Sequence, residues 1–217
     1  MNLSACFLIY RLTFDNHSLY LKMEKLSEAY IPTDYGKFRM IAFGNHPDEY
    51  SPHLALVSEN TRKEGPVLVR IHSECLTGDI FGSHRCECGE QLHTSLKRIG
   101  KEGGILIYLR QEGRGIGLIN KLKAYKLQDE GLDTVEANLH LGFEPDERHY
   151  DVAVQILKQL GIKEIKLLTN NPDKVEAIRD SEIRLAGREP LIIPTRESNE
   201  DYMNTKEQFF GHILRHQ

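Results

Sequence analysis

The sequence predicts a single α/β domain in which helices flank a mixed sheet. Two observations indicate this class: short strand-like runs dominate the first half of the chain, and strands alternate with helices in the second half. No internal repeat, low-complexity tract or composition change marks a boundary between them. We therefore expect one domain over residues 23–217, preceded by an extension over residues 1–22.

The first half is expected to hold most of the strands, each bounded by turn residues. Its predicted strands are 29–32, 37–42, 53–58, 67–72 and 105–109. Asp34, Tyr35 and Gly36 form the first turn, and Pro66 opens the fourth strand. A helix is expected over residues 91–99, where apolar residues recur at helical spacing.

The second half is expected to alternate helix and strand, with each helix marked by a start or stop signal. The predicted elements are a helix over 121–130 that Gly131 ends, a helix from the N-cap Asp146 to about 160 that Gly161 ends, a strand over 165–168, a helix from Pro172 through 178, and a polar helical stretch over 198–217.

Composition indicates an ordinary globular protein. Of its 217 residues 40% are apolar and 28% charged, and the formal net charge of −4 argues against a protein that coats nucleic acid. The apolar run 5–10 near the start is too short to span a bilayer and has no basic residues before it. We therefore expect a cytoplasmic protein that does not associate with membranes.

The cysteines predict a metal site. Cys75, Cys86 and Cys88 lie within 14 residues, whereas Cys6 is far away in the extension. Thiolates are good ligands for zinc. In a protein that is not exported, clustered cysteines indicate a metal site rather than a disulfide framework. Three protein ligands with one open position are typical of catalytic zinc, which activates a water molecule. Buried, inert thiols are the structural alternative.

Two alternatives for this region stay open. His72, His84 or His93 could supply a fourth ligand and close the site as a structural one. The stretch 72–74, with the cysteines after it, also partly matches the zinc deaminase signature. That match is poor, because the two later cysteines are separated by one residue and no proline precedes them.

Three further segments are candidates for phosphate binding. Residues 111–117 place glycines and Arg114 between a strand and a helix, where backbone amides and a guanidinium can hold an anion. Residues 169–174 run from a strand end into a helix start. Residues 146–148 pair an acid with an arginine. Each segment also has a purely structural explanation. Residues 111–117 could be a flexible turn, residues 169–174 could cap a helix with a side chain, and residues 146–148 could simply start a helix.

Several motifs in register resemble the GTP cyclohydrolase II family. They are the runs 69–79, 85–89, 111–117, 133–138, 141–143 and 167–172. The resemblance covers about residues 25–214 and includes no fused dihydroxybutanone phosphate synthase domain, so we expect a monofunctional enzyme. Glu87 stands where the family usually has aspartate, and we expect this difference to matter little because Glu87 is not a predicted ligand.

The resemblance also implies a site. Cys75, Cys86 and Cys88 would hold zinc, Asp146 would be a proton acceptor, Arg148 the nucleophile toward the α-phosphate, and Tyr125 a residue needed for complete formate release. The residues implied to line the GTP site are Arg70, Ile71, His72, Ser73, Glu74, Gln91, Glu112, Gly113, Arg114, Thr134, Thr169 and Lys174.

The implied reaction hydrolyses GTP to 2,5-diamino-6-ribosylamino-4(3H)-pyrimidinone 5′-phosphate, formate and pyrophosphate, the first committed step of riboflavin biosynthesis. Family members also need Mg²⁺ with the triphosphate and form homodimers. The alternatives are a relative that stops at the formamide, and a zinc module without catalytic activity.

Overall fold

The computed structural model describes residues 23–194, 196 and 199–213. The extension expected over residues 1–22 lies outside the described residues. A seven-stranded mixed sheet with flanking helices confirms the predicted class. Its strands are β1 (Glu24–Thr33), β2 (Gly36–Gly44), β3 (His53–Ser58), β4 (Val67–Ser73), β5 (Ile105–Leu109), β6 (Glu164–Leu168) and β7 (Arg184–Glu189).

The sheet has an antiparallel half and a parallel half. The spatial order is β1-β2-β3-β5-β4-β6-β7. Strands β1, β2, β3 and β5 pair antiparallel, and β5, β4, β6 and β7 pair parallel. The two halves explain the strand-rich and alternating halves of the sequence, because antiparallel strands join through short turns and parallel strands need crossovers.

Seven helices accompany the sheet in the described residues. They are α1 (Leu76–Asp79), α2 (Cys88–Glu102), α3 (Gly117–Asp129), α4 (Thr134–His140), α5 (Asp151–Gln159), α6 (Pro172–Arg179) and α7 (Glu200–Gln208), with a 3₁₀ turn over Glu112–Gly115. The main core lies on one face of the sheet, where α5 and α6 cover fully buried side chains such as Ile71, Ile107, Ile156 and Ile165. A smaller core around Phe38, Ile99 and Leu106 includes α2.

The predicted start of one helix, α5, is wrong. Helix α5 begins at Asp151 with Tyr150 before it, so Asp146 is not its N-cap. The side chain of Asp146 instead binds Arg148 in the preceding loop. Strand β7 and helices α1 and α4 were not predicted from the sequence. Helix α4 does carry a recognisable signal, since Asp133 and Glu136 form a capping box at its start.

Candidate active site

The candidate site lies at the carboxyl edge of the parallel half of the sheet. Cys75 follows β4, Glu112 follows β5 and Thr169 follows β6. Ligands collect at this edge in α/β sheets, because the loops after neighbouring parallel strands converge there. A pocket of about 930 Å³ opens at this place, which is a suitable size for a small-molecule site.

Three sulfur atoms meet at one side of the pocket. Cys75 precedes α1, Cys86 lies in the loop after it, and Cys88 is the first residue of α2. The Sγ atoms of Cys75 and Cys86 are 3.7 Å apart, and all three sulfurs lie within 4.8 Å of one another. Tetrahedral bonds of about 2.3 Å would place two sulfurs about 3.8 Å apart, so the donor set fits a zinc ion.

The turn beneath the sulfurs is closely packed. A Cβ on Gly78 would lie 3.0 Å from the Sγ of Cys86, and one on Gly89 would lie 2.3 Å from the carbonyl oxygen of Gly78. Asp79 accepts a hydrogen bond from the backbone N–H of Cys75 at 3.0 Å and another from the hydroxyl of Tyr108 at 2.9 Å. This packing fixes the loop that carries Cys75.

No histidine joins the sulfurs in the part of the chain that the structure describes. The only cluster of metal-binding side chains found there consists of the three cysteines. His72 Nε2 lies 3.0 Å from Asp79 Oδ1, and His93 stacks on Tyr35. The deaminase alternative needs the histidine of the 72–74 stretch as a ligand, so this arrangement counts against it as well as against a closed site.

The three thiols influence one another's ionisation. Hydrogen bonds from Cys86 and Cys88, with the ammonium group of Lys121, hold the pKa of the Cys75 thiol far below its usual range. The bond to Cys75 raises the pKa of Cys86 to about 11, and contact with both other thiols raises that of Cys88. Several thiolates this close repel one another, so a divalent cation would strongly stabilise the fully ionised cluster.

A buried lysine contacts the cluster, and the sequence analysis did not identify it. Lys121 Nζ donates to Cys75 Sγ at 3.1 Å and to Glu112 Oε1 at 2.8 Å. Glu112 Oε2 in turn accepts the backbone N–H of Leu76 at 2.6 Å. Both side chains are about nine-tenths buried. The sequence does place this lysine on a helical turn between Gly117 and Ala124. It does not show which way the side chain of the lysine points.

A chain of buried polar contacts leads from the cysteine loop to the last helix. Arg70 donates to the carbonyl oxygen of Leu168 at 3.0 Å and to Gln91 Oε1 at 2.8 Å. Gln91 donates to Glu87 Oε1 at 2.9 Å, and Lys206 donates to the same oxygen at 2.6 Å. Burial lowers the pKa of Arg70 to about 10. Glu87 is no member of the sulfur cluster, but it joins the cysteine loop to α7.

Arg148 and Asp146 form a two-bond ion pair. Arg148 Nε and Nη2 lie 2.8 Å and 2.5 Å from the two carboxylate oxygens of Asp146. Burial raises the pKa of Asp146, but the contact with Arg148 and the nearby charge of Arg114 outweigh it and hold that pKa below its usual value. The guanidinium of Arg148 also lies 5.9 Å from the ring of Tyr150.

Lys174 and Thr169 are buried and do not line the pocket. Lys174 Nζ donates to the carbonyl oxygen of Ile71 at 2.9 Å, and the Thr169 hydroxyl accepts from the backbone N–H of Asn171 at 3.1 Å. Burial, followed by the charges of Arg70, Arg148 and Lys206, lowers the pKa of Lys174 well below its usual value. Several cations therefore lie near one buried amine, and the carboxylate of Asp146 partly opposes their effect.

The glycine-rich loop has an unusual backbone. Gly113 and Arg114 both have positive φ angles, 63° and 60°, and arginine rarely adopts this conformation. The Arg114 carbonyl accepts the N–H of Glu147 at 3.0 Å, and its guanidinium lies 4.2 Å from the ring of Phe210. Such backbone strain is concentrated at functional sites, which favours a binding role for this loop over a flexible turn.

Tyr125 faces the cysteine side of the pocket. Its ring lies 4.8 Å from the guanidinium of Arg85 and 5.7 Å from the ammonium of Lys121. Burial raises the pKa of its hydroxyl, so the phenol stays protonated at neutral pH.

The pocket brings together part of the predicted set. The predicted residues that line it are Ser73, Glu74, Cys75, Cys86, Cys88, Glu112, Gly113, Arg114, Tyr125, Thr134 and Arg148. The predicted residues that do not line it are Arg70, Ile71, His72, Gln91, Asp146, Thr169 and Lys174. Of the second group, Asp146 contacts a residue of the first directly, through its ion pair with Arg148. Thr205, Gln208 and Phe209 also line the pocket, and the sequence analysis gave them no role.

Among the described residues, no helix is both long and apolar enough to cross a membrane.

Comparison with known proteins gave consistent matches. The family model for GTP cyclohydrolase II matches residues 24–190. Riboflavin biosynthesis protein RibBA of Bacillus cereus is 53% identical over 189 residues, which cover 87% of this chain and 47% of the relative. RibBA of Bacillus mycoides is 54% identical over 188 residues, covering 86% and 47%. The chain thus spans about half the length of these curated relatives.

A solved structure of RibBX, a two-domain 3,4-dihydroxy-2-butanone 4-phosphate synthase from A. baumannii, also aligns with this chain. The TM-score is 0.44 at 22% identity, over 80% of this chain and 41% of that one.

Proposed function

Because the chain belongs to the GTP cyclohydrolase II family, we propose that its residues 23–217 hydrolyse GTP to 2,5-diamino-6-ribosylamino-4(3H)-pyrimidinone 5′-phosphate, formate and pyrophosphate. This is the entry reaction of riboflavin biosynthesis, the process for which the RibBA relatives are named. The observation that carries the proposal is the position of a three-sulfur cluster on the wall of a pocket that Arg114, Lys121 and Arg148 also line.

The sulfur cluster is the proposed zinc site, with Cys75, Cys86 and Cys88 as ligands. Its donor type and spacing fit zinc, and no fourth side chain closes it among the described residues. Zinc bound there would supply a Lewis acid that activates water for attack on C8 of guanine. The protonated Tyr125 hydroxyl lies on the same side of the pocket, and we assign it to the second hydrolysis, which releases C8 as formate.

The cations form the proposed triphosphate site, which Mg²⁺ would complete by neutralising phosphate oxygens. Arg114 and Arg148 line the pocket, while Arg70 and Lys174 are buried and do not line it. The residues that we propose to contact GTP are Arg70, Ile71, His72, Ser73, Glu74, Gln91, Glu112, Gly113, Arg114, Thr134, Thr169 and Lys174.

Arg148 and Asp146 are proposed to act together on the α-phosphate. A guanidinium nitrogen of Arg148 would lose a proton to Asp146 and form a bond to phosphorus as the bond to pyrophosphate breaks, and water would later cleave that phosphorus–nitrogen bond to release the 5′-phosphate. The two-bond contact provides a short path for that proton. The transfer is uphill, because arginine is a very weak acid and the pKa of Asp146 is lowered.

The family resemblance also leads us to propose a homodimer and a cytoplasmic location. Helices α3 and α4 pack together and expose Ile119, Leu122 and Leu139, which supports burial against a second copy in a homodimer. Mass measured by light scattering at several protein concentrations tests this. The free thiols of the site support a cytoplasmic location, where thiols stay reduced.

A product assay tests the function. Purified protein of measured zinc content is incubated with GTP and Mg²⁺, and formate, pyrophosphate and the pyrimidine product are quantified. We expect all of them in equal amounts. Pyrophosphate without formate would identify an enzyme that stops at the formamide, and unchanged GTP would indicate a zinc module without catalytic activity.

A further inference from the structure

The contact between Lys121 and Cys75 bears on how reactive a metal in this site can be. Three thiolates donate much electron density, so a zinc ion that they hold is a weaker Lewis acid than one held by neutral imidazoles. A site of this kind therefore needs a group that reduces the donation. The ammonium of Lys121, 3.1 Å from Cys75 Sγ, is a charged group of this kind, whereas the Thr77 hydroxyl, 3.6 Å from the same sulfur, is neutral.

We propose that Lys121 is a positioning residue that tunes the metal: its ammonium group draws electron density from the Cys75 thiolate and so raises the Lewis acidity of a metal ion held by the three sulfurs. The inference deepens the proposed function, on which it rests for the reaction that the metal serves. It assigns a role to a residue that neither the motifs nor the family comparison singled out.

The surroundings hold Lys121 in this role. Glu112 accepts from Lys121 through Oε1 and from the backbone N–H of Leu76, next to Cys75, through Oε2. One carboxylate therefore fixes both the ammonium and the loop that carries the sulfur. Outer groups that orient a metal's ligands in this way typically change activity or affinity about 10- to 100-fold when removed.

The charges also favour this arrangement. The Lys121 side chain is 10% exposed and that of Glu112 is 8% exposed, so water screens their interactions little. A buried ammonium needs anionic partners, and it has two here, a carboxylate and a thiolate. A hydrogen bond from a cation to an ionised acceptor is among the strongest that proteins form.

The test uses the cobalt-substituted full chain, whose sulfur-to-cobalt charge-transfer band reports thiolate donation without any turnover. Lys121→Met removes the charge and keeps the length of the side chain. We expect the band to move to longer wavelength, because an unbonded thiolate gives up its electrons more easily. With zinc, we expect formate release to fall about tenfold or more. Lys121→Arg should restore most of both values, because it keeps the charge.

Lys126→Met is the matched control, since Lys126 is an exposed lysine of the same helix α3. It should leave the band and the rate unchanged. If Lys121→Met proves too unstable to purify, the double variant Glu112→Gln/Lys121→Met removes both buried charges and should show the same band shift.

The outcomes separate the two proposals. An unshifted band in a metal-loaded Lys121→Met or double variant would overturn the tuning role, even if the unaltered chain hydrolyses GTP. A shifted band that Lys121→Arg does not restore would overturn it as well. A shifted and restored band in a chain that leaves GTP intact would support the tuning role and refute the proposed function.

Discussion

Lys206 and Glu87 form a buried ion pair, with 2.6 Å between the ammonium nitrogen and Oε1, that joins the last described helix to the residue between two cysteines. Helix α7 lies beyond residues 24–190, the range that the family model matches, and yet Thr205 and Gln208 of this helix line the pocket. The pair therefore ties a segment outside the matched range to the cysteine loop.

Loss of that pair is expected to destabilise the fold. Lys206→Met would leave the Glu87 carboxylate, which is 2% exposed, without its cation, and removing one partner of a buried pair costs about 3 kcal/mol or more. Urea unfolding measures the change. Lys158→Met is the control, because Lys158 pairs with Glu182 on the surface and such pairs contribute about 1 kcal/mol or less. Equal losses in the two variants would contradict the buried pair's importance.

Metal binding should depend on the three cysteines and on no histidine. Cys86→Ser should abolish stoichiometric zinc and formate release together, since a serine hydroxyl is a poor zinc ligand. The variants His84→Ala and His93→Ala should keep their zinc. Metal analysis after dialysis decides the matter, and loss of zinc from either histidine variant would show that a fourth side chain closes the site.

Arg148 should be needed for release of pyrophosphate. We expect Arg148→Ala to slow it at least about 100-fold, because both the positive charge and the proposed nucleophile are lost. Arg148→Lys keeps the charge but also offers an amine that can act as a nucleophile, so the search for an adduct separates the two roles. Denaturing mass spectrometry of the unaltered chain, stopped during turnover, should show a nucleotidyl adduct on Arg148. A fully active Arg148→Lys variant without any adduct would leave Arg148 an electrostatic role only.

Gly78 should tolerate no side chain. The added Cβ of Gly78→Ala would lie 3.0 Å from the Sγ of Cys86 and 3.2 Å from that of Cys75, so the sulfurs must move apart. We expect weaker zinc binding in a chelator competition and a stability loss of about 1–3 kcal/mol, as for other overpacked sites. Gly187→Ala is the control, because a Cβ there meets nothing within 4 Å. Unchanged zinc affinity in Gly78→Ala would refute the close packing.

Mild acid should destabilise the fold partly through His53. Burial lowers the pKa of this imidazole, whose Nδ1 accepts the backbone N–H of Arg110 at 3.0 Å. A lowered histidine pKa means that the folded state favours the neutral ring. Its contribution is therefore complete above the unfolded pKa of about 6.5 and is lost as the pH falls below that value.

We expect the melting temperature to fall between pH 7.5 and 5.5, and to fall less in His53→Gln. Burial lowers the pKa of His72 too, so part of the slope should remain in that variant. Asp146 contributes with the same sign, because its pKa is also lowered in the folded state, but that contribution is lost only as the pH falls below the usual value near 3.8 and so does not affect this range. An unchanged slope in His53→Gln would rule out the contribution of His53.

Local sequence was enough to predict most of the sheet and the cysteine cluster. The strand β4 and the cysteines after it, the turn at Gly36 and the helix that begins at Pro172 all follow from patterns within about ten residues. The sequence analysis failed at Asp146, because an acid before a helical pattern signals an N-cap equally well when its real partner is a nearby arginine.

The sequence by itself determined most of the element types, the cysteine cluster that is the proposed metal site, and the family. Only the tertiary structure decided which charges the sulfurs meet. Lys121 contacts Cys75 from 46 positions away, and Lys206 contacts Glu87 from 119 positions away. No periodicity encodes such pairs, because their partners are set by how the sheet and its crossovers pack in space. The cysteines indicate a metal, whereas packing of the folded chain places the ammonium of Lys121 against one of them.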